Sequence, residues 1–250
     1  MNRIAFITGA TSGIGKATTK IFATNNIDLI ICGRRKENLI ALKDELKSKV
    51  NIYTLCFDVG NLEETKVSID SLPDKWKAIN ILINNAGGAH GLSEFKDSKF
   101  EDIEKTIDFN IKGLLYVSKL IIPLMVANKK GHIINMSSIA GKQAYKKGMV
   151  YCASKAAVES ISKSMRLELV PYGIKVTNIA PGAVNTNFSV TRFKGDEEKA
   201  KAVYENYIPL VAEDIAQVLY YTISLPEKVQ IADLTIFPSA QSDATTIYRS

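Results

Sequence analysis

Arg3 to Gly15 reads RIAFITGATSGIG, and a helical pattern continues from it through Ile21 and Phe22. A short apolar run, a glycine-rich turn and the start of a helix form one unit, and that context gives the glycines meaning. Gly9 permits the sharp turn, Gly13 lets backbone approach a pyrophosphate, and Gly15 allows the helix to pack closely on the strand. Thr11 and Ser12 add hydroxyls at the turn, and Ile14 stands at the helix entrance. The first turn of such a helix offers free N–H groups and a positive dipole end to an anion. The spacing is G-x-x-x-G-x-G rather than G-x-G-x-x-G, and a merely structural turn is the plain alternative. Its position after the first strand favours a dinucleotide.

Outward from this unit, strands and helices alternate. Ile27–Cys32 reads as a second strand that ends at Gly33-Arg34-Arg35. An acidic residue at this place would take the ribose hydroxyls of NAD. Two arginines suit a phosphate instead, so NADP is the predicted cofactor, unless Arg34 and Arg35 are solvated residues opening a helix over 36–48. Asn51–Phe57 reads as a third strand delivering Asp58 and Val59, where the Asp either accepts from an adenine amino group or caps the next helix. Ala78–Ile83 leads into Asn84-Asn85-Ala86-Gly87, small enough to let backbone pass a flat ring, with the amides of Asn84 and Asn85 bracing the sheet. Lys99–Val126 reads as one long helix, with Asn110 on or beside its apolar stripe. A buried Asn is costly unless satisfied, so Asn110 is a structural bridge or part of a proton path.

Gly131–Met136 delivers Ser137 and Ser138, and Gly173–Ala180 ends in Pro181-Gly182-Ala183-Val184-Asn185-Thr186. Each candidate falls at the carboxyl end of a strand or in the helix after it, the edge where an open parallel sheet binds ligands. The expected fold is α/β: a doubly wound parallel sheet with right-handed crossovers, one domain over residues 1–250.

Tyr151-Cys152-Ala153-Ser154-Lys155 opens an apolar-periodic run (Val158, Ile161, Met165). Residues four apart on a helix share a face, so phenol and ammonium project together. A tyrosine titrates near ~10, and a fixed cation can lower that by ~1–3 units, giving a proton donor and acceptor for a carbonyl/alcohol couple. A lone Y-x-x-x-K also arises by chance.

Composition narrows the class. Hydrophobic residues are 46% and charged residues 23% of 250, which fits a folded globular chain. The formal charge is +6, yet the basic clusters Lys129-Lys130 and Lys146-Lys147 are short and lack interleaved aromatics, so nucleic acid is not the expected partner. An anionic small molecule is. Cys32, Cys56 and Cys152 show neither metal-ligand nor disulfide spacing; no metal is expected, and Cys32 and Cys56 read as small core residues. The chain starts directly as a strand, and no apolar run looks long enough to cross a bilayer, so no membrane partner and a cytoplasmic setting are expected.

TGATSGIG at 8–15, NNAG at 84–87, Asn110, Ser138, YCASK at 151–155 and Pro181-Gly182 together resemble the short-chain dehydrogenase/reductase family, over the whole chain and in the right order. The resemblance implies a Rossmann-type domain with a seven-stranded parallel sheet. It implies Tyr151 as acid/base, and Lys155 holding the nicotinamide ribose while lowering the tyrosine's pKa. Ser138 would bond the reacting oxygen, Asn110 would hold a water linking Lys155 to solvent, and Val184 and Thr186 would meet the carboxamide. Beyond Gly182 the chain is similar to the NADP-dependent 3-hydroxy acid dehydrogenases. These act on the 3-hydroxyl of serine, allo-threonine, 3-hydroxyisobutyrate or 3-hydroxypropionate, or reduce the matching 3-oxo acids such as malonic semialdehyde, and form homotetramers.

A lid over about 186–212 is expected, with a polar loop over 188–196 and a charged helix over 195–206. For a substrate carboxylate, Arg192 is the better bidentate partner, with Lys194, Lys142 and Gln143 as further candidates. Other readings stay open here: a reductase of a larger carbonyl (acyl-carrier-linked, steroid or sugar), or an NADP-binding sensor without turnover.

Overall fold

Apolar residues alternating along the strands sort onto the two faces of one sheet. The computed structural model describes residues 3–250. In chain order, β1 (Ile4–Ile7), α1 (Gly13–Thr24), β2 (Asp28–Gly33), α2 (Lys36–Leu46), β3 (Ile52–Cys56), α3 (Leu62–Asp70) and β4 (Ile81–Asn84) form the first half. Then follow α4 (Phe100–Ile107), α5 (Gly113–Ala127), β5 (Gly131–Met136), α6 (Ile139–Lys142), α7 (Met149–Leu169) and β6 (Ile174–Pro181). The chain ends with β7 (Val184–Asn185), α8 (Asn187–Arg192), α9 (Glu197–Ala202), β8 (Leu210–Val211), α10 (Ala212–Ser224) and β9 (Asp233–Ile236). Seven strands pair in the order β3-β2-β1-β4-β5-β6-β9, all parallel. The order reverses between β1 and β4, and a cleft opens there at the carboxyl ends. β7 and β8 pair separately over it.

Ile7, Leu29, Ile31 and Ile83 face α1, α2 and α10, meeting Phe22, Leu42 and Leu219. Phe6, Ile30, Leu82 and Ile133 face the other way, onto Val117, Ile121 and Met125 of α5. Each such side chain, fully removed from water, contributes roughly 1.5–3 kcal/mol, so both layers are held by the sheet between them.

Four expectations change. The long helix is interrupted by a π turn over Asp108–Lys112, where the Gly113 N–H reaches back to the Asp108 carbonyl. That extra residue turns Asn110 inward to 1% exposure, and such turns gather at functional sites. Phe100–Ala127, 28 residues of continuous helix, is by length and composition able to cross a membrane, contrary to expectation. Here Val117, Ile121 and Met125 lie in the core instead. The expected loop over 188–196 is largely α8, and the expected helix over 195–206 is regular only over α9. Cys56 is exposed at the end of β3, where its side chain faces the Arg34 carbonyl, while Cys32 is buried, with burial pushing its thiol up to about 12.

Candidate active site

The cleft encloses about 840 Å³. Its floor is the turn between β1 and α1. Gly9 has φ +65° and Gly13 φ +50°, conformations that L side chains rarely adopt. A Cβ on Gly15 would collide with the Gly9 carbonyl and the Asn85 amide; Gly15 therefore builds the turn without itself lining the cleft. The Thr8 hydroxyl accepts from the Asn85 and Ala86 N–H groups at 2.9 and 2.8 Å. The Asn85 amide donates to the Thr8 and Gly9 carbonyls at 2.9 and 3.2 Å. Asn85 thus braces the glycine turn rather than the sheet, which Asn84 bridges by donating to the Asn135 side chain at 2.8 Å, and Asn85 lines the cleft with Ala86 and Gly87. Ser12 stands at the N-cap of α1 with no side-chain bond to it, so the first-turn N–H groups face the cleft uncapped. That cradle fits a pyrophosphate.

At the end of β2 the two arginines diverge. Arg35 Nη2 donates to the Thr11 hydroxyl at 3.2 Å. Arg34 lies 3.5 Å from the Asp58 carboxylate, with its guanidinium 4.7 Å from the Phe109 ring centre. Asp58 also accepts from the Gly60 N–H at 2.9 Å, so it shapes its own turn rather than capping a helix; Asn61 caps α3. Val59, Ile14, Ser12, Thr11, Pro181, Gly182, Val184 and Thr186 all line the cleft.

At the other end, α7 carries Tyr151 and Lys155 on one face, and Ser138 leaves β5 as the N-cap of α6. The three side chains line the same wall. The Ser138 hydroxyl donates to the Pro181 carbonyl at 3.4 Å. Lys155 Nζ donates to the Met136 carbonyl at 2.8 Å and lies 5.9 Å from the Tyr151 ring centre. Lys155 is buried, which pushes its pKa down to about 8. The Tyr151 phenol stands well above its usual value: burial dominates, Tyr145 adds to it, and the Ser138 hydroxyl and the Arg192 guanidinium work the other way. The lysine aims at a carbonyl rather than the phenol oxygen, so the expected lowering by Lys155 is not the ruling effect.

The Asn110 amide donates to the Gly88 carbonyl at 2.8 Å and to the Ser154 hydroxyl at 2.9 Å, and its oxygen accepts from the Gly88 N–H at 2.8 Å. Its side chain is a structural bridge beside Gly87 and does not line the cleft. Gln143 also lies off the cleft: its oxygen accepts from the Ala244 N–H at 3.0 Å, which ties down the C-terminal tail. Lys142 is held by Glu159 and Asp233, and Lys194 by Asp102. Arg192 alone of these candidates enters the cleft. Its Nη1 donates to the Tyr145 hydroxyl at 2.9 Å, and its guanidinium lies 5.5 and 5.6 Å from the Tyr145 and Tyr151 ring centres.

The profile of the short chain dehydrogenase family matches residues 3–197. The chain belongs to that family. It is 42% identical over 249 residues to the NADP-dependent 3-hydroxy acid dehydrogenase of Salmonella typhi, covering 99% of this chain and 100% of the relative. It is 37% identical over 243 residues to sulfoacetaldehyde reductase 2 of Chromohalobacter salexigens, covering 97% and 96%. Among solved structures it matches the closed form of serine dehydrogenase complexed with NADP+ at a TM-score of 0.92 and 40% identity, over 99% and 100% of the two chains. As a short chain dehydrogenase the protein is an oxidoreductase, and the expected α/β doubly wound domain is the fold observed.

Several cleft residues of this short chain dehydrogenase escaped the sequence reading. Tyr145 packs closely against Gly148, where any Cβ would strike its ring. Phe109 carried no signal beyond its place next to Asn110. Gln241, Ala244, Ile247 and Arg249 reach the cleft from the tail. The Gln241 side-chain oxygen accepts from the Ala183 N–H at 2.8 Å, and Arg249 donates to the Glu205 carbonyl and, at 3.1 Å, to that of Val203. No local pattern announces such long-range contacts.

Proposed function

We propose that the chain is an NADP-dependent dehydrogenase of small 3-hydroxy acids, acting on serine, allo-threonine, 3-hydroxyisobutyrate or 3-hydroxypropionate, or on the matching 3-oxo acids in reverse. The observation that carries this reading is the free edge of Arg192. Nη1 is engaged by Tyr145, while Nε and Nη2 are buried and have no hydrogen-bond partner among the described residues. Nε and Nη2 form one side of the guanidinium fork, the edge that holds a carboxylate by two parallel bonds. A buried charged donor pair without a partner is costly, and a substrate carboxylate satisfies it.

NADP supplies the hydride acceptor or donor at its nicotinamide ring. The chain's own residues do the rest. The glycine turn and α1 hold the pyrophosphate, Arg35 with Thr11 serves the ribose phosphate, and Arg34, Asp58 and Val59 border the adenine. Asn85, Ala86, Gly87, Pro181, Gly182, Val184 and Thr186 flank the nicotinamide half. Lys155 binds its ribose, Ser138 bonds the substrate's 3-oxygen, and Tyr151 takes its proton in oxidation and returns it in reduction. Asn110 keeps the Gly88 backbone and the Ser154 hydroxyl of α7 in place. Residues 186–212 act as a lid, supported by the Lys194–Asp102 ion pair at 2.7 Å and the Gly91 N–H bond to the Arg192 carbonyl at 3.0 Å.

Leu115 on α5, Met149 and Leu167 on α7 and the adjoining Val170 are exposed, and they support assembly as a homotetramer. Three free cysteines support a reducing, cytoplasmic setting. The test is nicotinamide reduction with the four hydroxy acids, with NADP and NAD in parallel, and with isethionate as the sulfonate counterpart. Turnover of a 3-hydroxy acid with NADP is expected. Turnover of isethionate alone, or of none of these with NADP still binding, overturns the substrate assignment.

A further inference from the structure

Glu159 stands one helical turn beyond Lys155 and two beyond Tyr151, so the three share one face of α7. It is 9% exposed, and its carboxylate is met from three other elements. Lys142 Nζ, at the end of α6, lies 3.3 Å away. The Ser137 hydroxyl, just past β5, lies 3.3 Å from Oε1 and shares its one proton between that oxygen and the Lys155 carbonyl, and the Asn178 amide of β6 donates to Oε1 at 3.4 Å. Lys142 and Asn178 are in turn fixed on the Asp233 carboxylate of β9, each at 2.7 Å.

Each of those partners sits on a segment that carries or meets Ser138. Ser137 precedes it in the chain. Lys142 closes the short helix that Ser138 caps, and Asn178 lies on the strand whose Pro181 carbonyl accepts from Ser138 at 3.4 Å. The Ser137 hydroxyl also reaches the Lys155 carbonyl at 3.1 Å, and a Cβ on Gly141 would approach that carbonyl to 2.7 Å, so α6 lies directly on α7. A carboxylate this buried is tolerated only while its lysine and both donors stay in place. That requirement makes the arrangement stiff where stiffness matters.

We propose that Glu159 is a positioning residue, holding the helix that bears Tyr151 and Lys155 in register with the three elements that place Ser138. The proposal rests on those three side chains being the reacting groups. Glu159→Gln keeps the volume and one acceptor oxygen but turns a donor toward Lys142. Ser137→Ala removes a link between the two segments without touching the charge.

In both variants kcat should fall about tenfold or more, because sub-ångström displacement at a reacting pair is costly. The primary deuterium isotope effect on kcat should rise as hydride transfer becomes slower than product release. The dissociation constant of NADP should stay close to wild type, and the melting temperature should fall by no more than a few degrees. Unchanged kcat in both variants overturns the proposal, and so does loss of kcat, NADP affinity and melting temperature together, which marks a merely structural residue.

Failure of the wild type to oxidise any 3-hydroxy acid would remove the functional reading and leave the pin to be judged without turnover. Hydrogen exchange of the ligand-free protein does that. Faster exchange in the segments over 137–142 and 149–159 of Glu159→Gln, with β1 and β2 unaltered, is expected, and unaltered exchange in both segments overturns the proposal.

Discussion

Arg192 touches two requirements of the site at once. Its Nε/Nη2 edge is free for the substrate anion of the proposed reaction, and its charge, 5.6 Å from the Tyr151 ring, is one of two influences that draw the phenol down against burial. Arg192→Ala should therefore raise the KM for a 3-hydroxy acid by roughly 10- to 100-fold, the worth of charged hydrogen bonds of about 1.5–3 kcal/mol. A neutral alcohol of the same size should lose far less, and the KM for NADP should hold. The phenol should titrate higher once that cation is gone. Since oxidation needs the deprotonated form, the rising limb of its pH–rate profile should move to higher pH. Equal losses for the acid and the neutral alcohol would take Arg192 out of the substrate site. Arg192 could be singled out in the sequence because, among the basic residues after β6, only a guanidinium offers a two-donor planar edge. Gln143 stood there as a further candidate, and only its contact with Ala244 of the distant tail shows where its amide goes. The same holds for Cys56, whose strand-like surroundings gave no sign that β3 lies at the sheet edge with that side chain in solvent.

At the level of elements, the strand ends were the readable part. Short apolar runs located β1, β2, β5 and β6 to within a residue at each end, and β4 at its carboxyl end, because a strand buried on both faces reads as a nearly continuous apolar run. The π turn was not readable: Ile107, Ile111 and Leu114 keep nearly the spacing of an uninterrupted helix, and one extra residue barely disturbs it. The end of β2 carries the prediction that belongs to this scale. Arg34 and Arg35 are adjacent but leave the strand in opposite senses, one toward Asp58 and Phe109, the other toward Thr11 on the phosphate-binding turn. Arg35→Ala should raise the KM for NADP about tenfold or more and leave that for NAD nearly unchanged, since a phosphate partner is lost and nothing else. Arg34→Ala should weaken both cofactors to a similar extent, because its partners Asp58 and Phe109 lie on the side proposed for the adenine that they share. Steady-state KM values for both cofactors in both variants decide it; a reversed pattern would exchange the two roles.

Across the whole molecule, the sheet separates the chemistry at its carboxyl edge from a purely structural device at its opposite edge. His132, the second residue of β5, is 5% exposed, and its Nε2 lies 2.8 Å from the Thr177 hydroxyl of β6. That hydroxyl donates to the Ile231 carbonyl at 2.6 Å, so it accepts from Nε2–H. Burial, with the nearby Lys175 charge adding to it, pushes the imidazole pKa down to about 3. The unfolded chain titrates this histidine at about 6.5, so between those two values it binds more protons than the folded protein, and stability falls as pH falls. At pH 5, about 1.5 pH units below the unfolded pKa, the loss from this one group is about 2 kcal/mol, which is a large share of the total for a domain that is marginally stable. No such loss is expected from it above pH 7, where both states are neutral. Replacing the ring by an uncharged donor, His132→Gln, should lower stability at pH 7 modestly while flattening the decline from pH 7 to pH 5, as measured by urea unfolding at both values. A variant that loses as much stability as the wild type over that interval would place the acid sensitivity elsewhere in the molecule.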